Sequence, residues 1–246
     1  MLGKLIKHDF KNTWMVMTPV CALIIIGGII ISIITMISNH GETVFNIFFV
    51  LLMLIYILGI PALGVFGIIY LISYYHKKLY SNQGYLSFTL PVTNAKVALS
   101  KMIVAGIWIV LGHISVIASI TMVAAAGLGK NFATEFSDFT GSGLLNIAII
   151  ALSIPHLMSY FFSISVGQIR RKNKVAGAVI CQFIIYFVCL VWLIVEMINY
   201  GEVSWNMTGL QVAQMITIKS IIYSIIMTLF FCGVSLRLVN KKLNLE

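Results

Sequence analysis

Residues 44–75 read VFNIFFVLLMLIYILGIPALGVFGIIYLISYY, a run of 32 residues with no charged side chain. A helix crosses the hydrocarbon core of a bilayer with about 20 apolar residues, at a rise of about 1.5 Å per residue. This run is longer than that, and Pro61 lies near its middle between Gly59 and Gly64. It therefore predicts a long transmembrane helix that kinks at Pro61 and extends beyond the membrane at its C-terminal end.

The rest of the chain has the same apolar character. It is 60% hydrophobic and 9% charged, with a mean hydropathy of +1.04, far from the composition of soluble domains. Backbone groups in lipid must bond within their own segment, and the alternation of a membrane barrel is absent, so the apolar runs predict helices. The fold class is all-α, a polytopic membrane protein with one transmembrane domain over 1–246. The six predicted spans cover about 15–38, 44–75, 103–127, 144–167, 175–199 and 216–238.

The charged residues divide unevenly between the two ends of these spans. The segments that precede span 1, join spans 2 and 3, join spans 4 and 5, and follow span 6 hold fourteen of the sixteen basic residues. Their only acids are Asp9 and Glu246, so their net charge is +12, against −3 for the opposite segments. By the positive-inside rule, both termini are cytoplasmic. Such a charge distribution favours contact with anionic membrane lipid and does not indicate a nucleic-acid partner.

A separate amphipathic helix is predicted ahead of the first span, over 2–14. Apolar residues recur there at helical spacing, with Lys4, Lys7 and Lys11 on the other side. A helix of this kind lies in the membrane interface with its apolar side toward the acyl chains. A simple basic flank is the alternative. The residues expected to form this elbow and anchor the first span are Leu5, Ile6, Phe10 and Trp14.

The connection between spans 2 and 3, over 76–101, reads HKKLYSNQGYLSFTLPVTNAKVALSK and is the longest on the predicted cytoplasmic side. Residues 85–90 form an apolar and aromatic patch within it. An exposed patch of this kind usually marks a binding site; the alternative is that it folds back against the membrane. Pro91 ends the patch, and Thr93 or Asn94 is expected to cap a helix that continues into span 3.

Side chains that carry chemistry are scarce. Charges at membrane depth mark ion and proton pathways, but no Asp or Glu lies in the middle third of any predicted span. The remaining polar candidates for a pathway are His113 and His156, for which an interhelical hydrogen bond is the alternative role. The four cysteines all lie inside predicted spans without a C-x-x-C motif, so no metal site is predicted. G-x-S-x-G and H-E-x-x-H motifs are also missing, so we expect neither a catalytic residue nor an enzyme.

One motif carries a family resemblance. Residues 85–93 read Y-L-S-F-T-L-P-V-T and are followed by A-L-S-K at 98–101. With the amphipathic N-terminal helix, the six spans and the long second span, this pattern resembles the ABC-2 type permease family. More narrowly, it is similar to the single-domain permeases of Gram-positive bacteria. The motif covers residues 85–101, whereas the similarity in topology covers the whole chain.

The resemblance implies the permease subunit of an ATP-binding cassette exporter in the plasma membrane of a bacterium. It implies a second permease, identical or paralogous, and separate ATPase subunits that bind the ATP, so that this chain holds no cofactor. The substrate would be amphipathic, peptide or lipid-like, which includes antimicrobial peptides. The connection 76–101 would be the coupling loop that contacts the ATPase. The coupling residues implied are Tyr85, Leu86, Phe88, Thr89, Leu90, Pro91 and Thr93.

Two other functions stay open at this point. The chain could be a membrane scaffold or sensor that transports nothing and holds a cytoplasmic partner through the same connection. It could also be a secondary carrier, although such proteins usually need midplane carboxylates or paired broken helices, and the carboxylates are missing here.

Overall fold

A computed structural model gives the architecture of the chain and describes residues 1–38, 43–80, 92–128, 140–169, 173–203 and 209–242. Every regular element in these ranges is an α-helix. All six helices are long and apolar enough to cross a membrane, which confirms the predicted all-α fold class with six spans. The helices are α1 (Leu2–Ser38), α2 (Thr43–Tyr80), α3 (Asn94–Leu128), α4 (Thr140–Gly167), α5 (Lys174–Val203) and α6 (Gly209–Lys242).

The helices are longer than the spans predicted from hydropathy. The shortest, α4, has 28 residues, which is about 42 Å of helix and exceeds the hydrocarbon core of about 30 Å. Helix α2 continues through Pro61 as one element. The helix expected after Pro91 begins at Asn94 and runs without a break into the third span, as predicted.

The N-terminal segment differs from the prediction in one respect. No boundary separates an elbow over 2–14 from the first span, because α1 is one continuous helix with Pro19 inside it. Around this expected boundary α1 buries Asp9, Thr13 and Met17, at intervals of four, and its buried positions continue along the rest of the helix. This buried stripe runs across the expected boundary, so the packing that stabilises the helix does not stop there. Of the predicted apolar side, Leu5, Ile6 and Phe10 are half-buried and Trp14 is exposed.

Contacts within the chain divide it into two compact units. The first consists of Met1–Asp9, Ile72–Gly106 and Gly141–Glu246, and the second of Phe10–Leu71 and Ile107–Thr140.

The second unit is held by aromatic stacking and by one close approach between helices. The Trp108 ring is buried and stacks on Phe10 with 4.9 Å between ring centroids, and its Nε1 donates to Thr13 Oγ1 at 2.8 Å. Farther along α1, a Cβ on Gly28 would lie 2.9 Å from the Cα of Ser119. Only a glycine permits α1 and α3 to approach this closely. Ser119 Oγ completes the contact by donating to the Ile24 carbonyl oxygen at 2.9 Å.

The first unit packs around two aromatic residues. Tyr75 and Phe161 are almost fully buried and stack with 4.2 Å between ring centroids. Tyr75 lies in the last turns of α2 and Phe161 in the second half of α4. The stacking therefore fixes α2 and α4 to each other close to the point where α2 ends.

Candidate functional site

Most of the predicted coupling residues fall in the segment 81–91, which lies outside the described residues. Those outside are Tyr85, Leu86, Phe88, Thr89, Leu90 and Pro91. The structure does describe both flanks of this segment, Tyr80 at the end of α2 and Thr93 before α3, and all the contacts of the flanks given below lie within the first unit.

The flank after the segment begins with a capped helix. The Thr93 carbonyl oxygen accepts hydrogen bonds from the backbone N–H of Lys96 at 2.9 Å and of Val97 at 3.3 Å. Thr93 therefore occupies the N-cap position of α3, in agreement with the sequence prediction. The N–H of Ala95, which has no partner within the first turn of the helix, donates to Oδ1 of Asn240 in α6 at 3.1 Å. The start of α3 is thus attached to a helix far away in the chain.

The flank before the segment is attached in a similar way. Tyr80, the last residue of α2, shares a hydrogen bond of 2.9 Å with Oγ of Ser165 in α4. One turn earlier, His76 Nε2 lies 3.5 Å from Nε2 of Gln168. These contacts join the end of α2 to the end of α4.

Asp9 is the centre of a buried polar cluster beside these flanks. Its carboxylate accepts hydrogen bonds from Tyr74 Oη at 2.9 Å and from Ser100 Oγ at 2.6 Å. Lys101 Nζ lies 3.2 Å from Oδ2 and 3.3 Å from Oδ1. We call these four residues the Asp9 cluster. They connect α1, α2 and α3.

Because this ion pair is buried, its free energy depends on how well other groups replace the water that the two charges lose. The side chains of Asp9 and Lys101 are each 5% exposed. A buried charge costs several kcal/mol of desolvation free energy unless an opposite charge and hydrogen bonds replace its water. Asp9 receives both, from an ammonium group and two hydroxyl groups. The cluster therefore holds three helices in one arrangement, since separating them would expose or isolate a charge.

The Asp9 cluster accounts for the last two residues of A-L-S-K and was not predicted from the sequence. Ser100 and Lys101 are the S-K of A-L-S-K, and both contact Asp9. A signal was present in the sequence, because Asp9 is one of only two acids among fourteen basic residues on the predicted cytoplasmic side. A lone acid in such a segment is a candidate for a specific ion pair.

The two histidines have different surroundings. His113, in the second unit, has its Nδ1 at 2.8 Å from the Ile109 carbonyl oxygen, one turn earlier in α3. That contact stays within its own helix and is typical of a structural histidine. His156, in the first unit, belongs to an aromatic group instead. Its Nε2 lies 3.2 Å from Tyr186 Oη, Tyr186 Oη is hydrogen-bonded to Tyr160 Oη, and the rings of His156 and Tyr160 meet edge to face.

A cleft of about 240 Å³ opens in the first unit beside this aromatic group, and Tyr160 and Tyr186 form part of its lining. We call it the inner cleft. Its walls come from Ile72 of α2 and from one side each of α4 and α5. The lining residues are Ile72, Tyr160, Ser163, Ile164, Ala178, Val179, Gln182, Phe183 and Tyr186.

Within the described parts of the chain, no group of three or more His, Cys, Asp and Glu side chains could hold a metal ion. The four cysteines, which all lie in described helices, are unpaired thiols.

The six long apolar helices define the class of the chain as a multi-pass α-helical membrane protein. Comparison with protein-family models, with curated proteins and with solved structures finds no match to this chain.

Proposed function

We propose that this chain is the membrane-spanning subunit of an ABC-2 type exporter, and that a separate subunit hydrolyses the ATP. The observation that carries the proposal is the attachment of both flanks of segment 81–91 to the helices of the first unit. Tyr80 bonds to Ser165 on one side, and Ala95 bonds to Asn240 on the other. The Asp9 cluster adds a buried ion pair, and its residues on α2 and α3 lie about two helical turns from the flanks.

These attachments suit a segment that transmits force. A motor subunit that pushes on segment 81–91 would move the helices only if the flanks cannot bend independently of them. The stacking of Tyr75 on Phe161 and the continuous helix from Asn94 to Leu128 provide that stiffness. A connection that only joined two spans would not need polar partners on three other helices, which are buried Asp9 on α1 and Ser165 on α4 and exposed Asn240 on α6.

The apolar patch of segment 81–91 would supply the contact with the ATPase. Leu86 and Phe88 would be buried against that subunit, and Pro91 with the Thr93 cap would keep the segment stiff. In this arrangement the chain pairs with a second permease, identical or paralogous, in the plasma membrane of a bacterium, and ATP-driven movement of the ATPase subunits changes the packing of the spans.

The substrate proposed is amphipathic, peptide or lipid-like. The basis is the lack of Asp and Glu in the middle third of the predicted spans, because sugars and ions need polar partners along their path. Export of membrane-active antimicrobial peptides is the form of this activity that we favour.

The experiment is copurification of the tagged chain from its native membrane, with its partners identified by mass spectrometry. We expect an ATPase with Walker motifs to copurify with the wild-type chain. Leu86→Asp and Phe88→Asp place a charge in the apolar patch and should each remove most of the bound ATPase. Asn82→Asp adds the same charge to the same segment outside the patch, so it should retain the ATPase.

Two results would contradict the proposal. One is an ATPase yield that neither Leu86→Asp nor Phe88→Asp reduces, because the patch would then make no contact with the motor. The other is a wild-type chain that captures a kinase or regulator and no ATPase, which would favour the scaffold or sensor.

A further inference from the structure

The inner cleft has the length of one leaflet of the bilayer. Its lining on α5 runs from Ala178 to Tyr186, eight residues or about 12 Å along the helix. Half of the hydrocarbon core is about 15 Å. The Ala178 end is close to the predicted cytoplasmic end of α5, which begins at Lys174. In the predicted orientation, the cleft therefore extends from near the cytoplasmic surface to about the middle of the membrane.

The polar residues of the lining are bonded to one another and not to the cleft. Ser163 Oγ donates to Gln182 Oε1 at 2.8 Å, and Gln182 Nε2 donates to Ser159 Oγ at 3.1 Å. The Tyr160 and Tyr186 hydroxyls bond to each other, and Tyr186 also reaches His156. What these residues present to the cleft is carbon. An occupant therefore needs no hydrogen-bonding groups along this length.

The cytoplasmic mouth of the cleft has the opposite character. His76 lies one helical turn beyond Ile72 on the same side of α2, and its ring approaches Gln168. Lys174 begins α5 and is exposed. The ends of α4 and α5 meet there, because a Cβ on Gly167 would lie 2.6 Å from the Lys174 carbonyl oxygen. The exposed ammonium group of Lys174 thus lies one helical turn before Ala178, the first residue of α5 that lines the cleft. The predicted cytoplasmic segments, to which Lys174 belongs, have a net charge of +12.

We propose that the inner cleft binds one acyl chain of an anionic phospholipid from the cytoplasmic leaflet, with the phosphate held at the mouth near Lys174. The acyl chain fits the leaflet length and the hydrocarbon lining, and the phosphate fits the exposed ammonium group. A peptide strand is a poorer occupant, since its backbone amides would be left without partners in this lining. Lipid binding at this cleft does not depend on the proposed transport function.

The test is native mass spectrometry of the purified full-length chain, extracted from bilayers of phosphatidylglycerol and phosphatidylcholine with matched acyl chains. The wild-type chain should retain phosphatidylglycerol in preference to phosphatidylcholine. Val179→Trp fills the cleft and should remove most of the retained lipid. Ile180→Trp places the same ring on the adjacent exposed residue, which does not line the cleft, and should leave retention unchanged.

The mouth is tested separately by Lys174→Gln. One basic residue near a membrane surface contributes about 1 kcal/mol to the attraction of anionic lipid, so the preference for phosphatidylglycerol should fall roughly fivefold. Retention of phosphatidylcholine should not change. Equal retention of both lipids by the wild-type chain would overturn the anionic part of the proposal.

Two further outcomes would overturn the proposal as a whole. If Val179→Trp retains as much phosphatidylglycerol as Ile180→Trp, lipid does not occupy the cleft. If Val179→Trp alters the oligomeric state and not the lipid count, the cleft is a contact between copies of this chain. Thermal unfolding of each variant checks that the fold is intact. No ATPase is present in the assay, so its result is independent of the copurification experiment.

Discussion

At the scale of single residues, Asp9 and Lys101 show how this chain keeps two charges out of water. Each side chain is 5% exposed, and the carboxylate has bonds from Tyr74 and Ser100 as well as from the ammonium group. A buried pair of this kind contributes little net stability compared with apolar residues of the same size, but removing one partner isolates the other. The ion pair therefore determines which helices pack together more than it adds to the stability of the fold.

Removal of the Asp9 charge is the first prediction. Asp9→Asn leaves Lys101 buried beside an uncharged amide, and we expect the free energy of unfolding to fall by about 3–5 kcal/mol. The measurement is thermal unfolding of the purified chain in detergent. The double variant Asp9→Asn, Lys101→Met removes both charges and should recover much of the loss. A double variant no more stable than Asp9→Asn would show that the loss does not come from an isolated charge.

Residue-scale detail was only partly predictable. The A-L-S-K motif drew attention to Ser100 and Lys101 through family resemblance, and Asp9 stood out as one of two acids on that side, but local sequence could not show that they meet. Asp9 is 92 positions from Lys101, and pairing over such a separation depends on how the helices pack. The position of Thr93 as a helix cap was predictable, because capping is decided by residues within one turn.

At the scale of elements, the junction of α4 and α5 shows how a backbone contact fixes two helices. Helix α4 ends at Gly167 and α5 begins at Lys174. Between them Asn173 adopts φ of 56°, a left-handed conformation that asparagine tolerates better than most residues, and its carbonyl oxygen accepts from the Gly177 N–H at 3.1 Å. Glycine at 167 lets the two helix ends approach at backbone distance.

The second prediction concerns the effect of adding a methyl group at this junction. In Gly167→Ala the new Cβ would lie 2.6 Å from the Lys174 carbonyl oxygen and 2.8 Å from the Ala178 nitrogen, so the helix ends must separate. We expect a loss of about 1–3 kcal/mol in the free energy of unfolding. Gly233→Ala is the matched control within a helix, since a Cβ there meets nothing within 4 Å. It should be neutral or stabilising by up to about 1 kcal/mol. Equal stability of the two variants would contradict the close contact.

The ends of the helices were harder to predict from the sequence than the spans themselves. Hydropathy placed the apolar centre of every helix, because each span must match the membrane thickness on its own. It did not place the helix ends, because a helix continues into polar sequence wherever its polar side chains and backbone groups find hydrogen-bond partners. The clearest case is α1, in which buried Asp9 and Thr13 carry the packing face past the predicted boundary at residue 14.

At the scale of the whole molecule, the distribution of charge predicts which ends of the helices lie on the cytoplasmic side of the membrane. The residues of the Asp9 cluster, with Tyr80, Ser165 and Asn240, all belong to segments or helix ends predicted to be cytoplasmic. Hydrogen bonds in the first unit join Asp9 to Tyr74 and Ser100, Tyr80 to Ser165, and Asn240 to the N–H of Ala95. Five different helices are connected in this way. This grouping is what a topology with both termini on one side requires.

The orientation is the third prediction and is tested by labelling in a variant without native cysteines. Gln211→Cys lies at an exposed position on the predicted outer side and should react with a membrane-impermeant maleimide on intact cells. Lys4→Cys is also exposed but should react only after permeabilisation, and so should Leu86→Cys in the segment 81–91. Labelling of Leu86→Cys on intact cells would contradict both the orientation and the proposed coupling role.

The sequence by itself determined the class of this protein, an all-α membrane protein with six spans, and its charge bias predicts their orientation. It could do so because apolar length and local charge are properties of short segments that need no knowledge of their neighbours. Only the tertiary structure decided that Asp9 meets Lys101, that α1 is continuous, and that an apolar cleft lies between α2, α4 and α5. These features depend on contacts between residues far apart in the chain, which helix packing alone brings together.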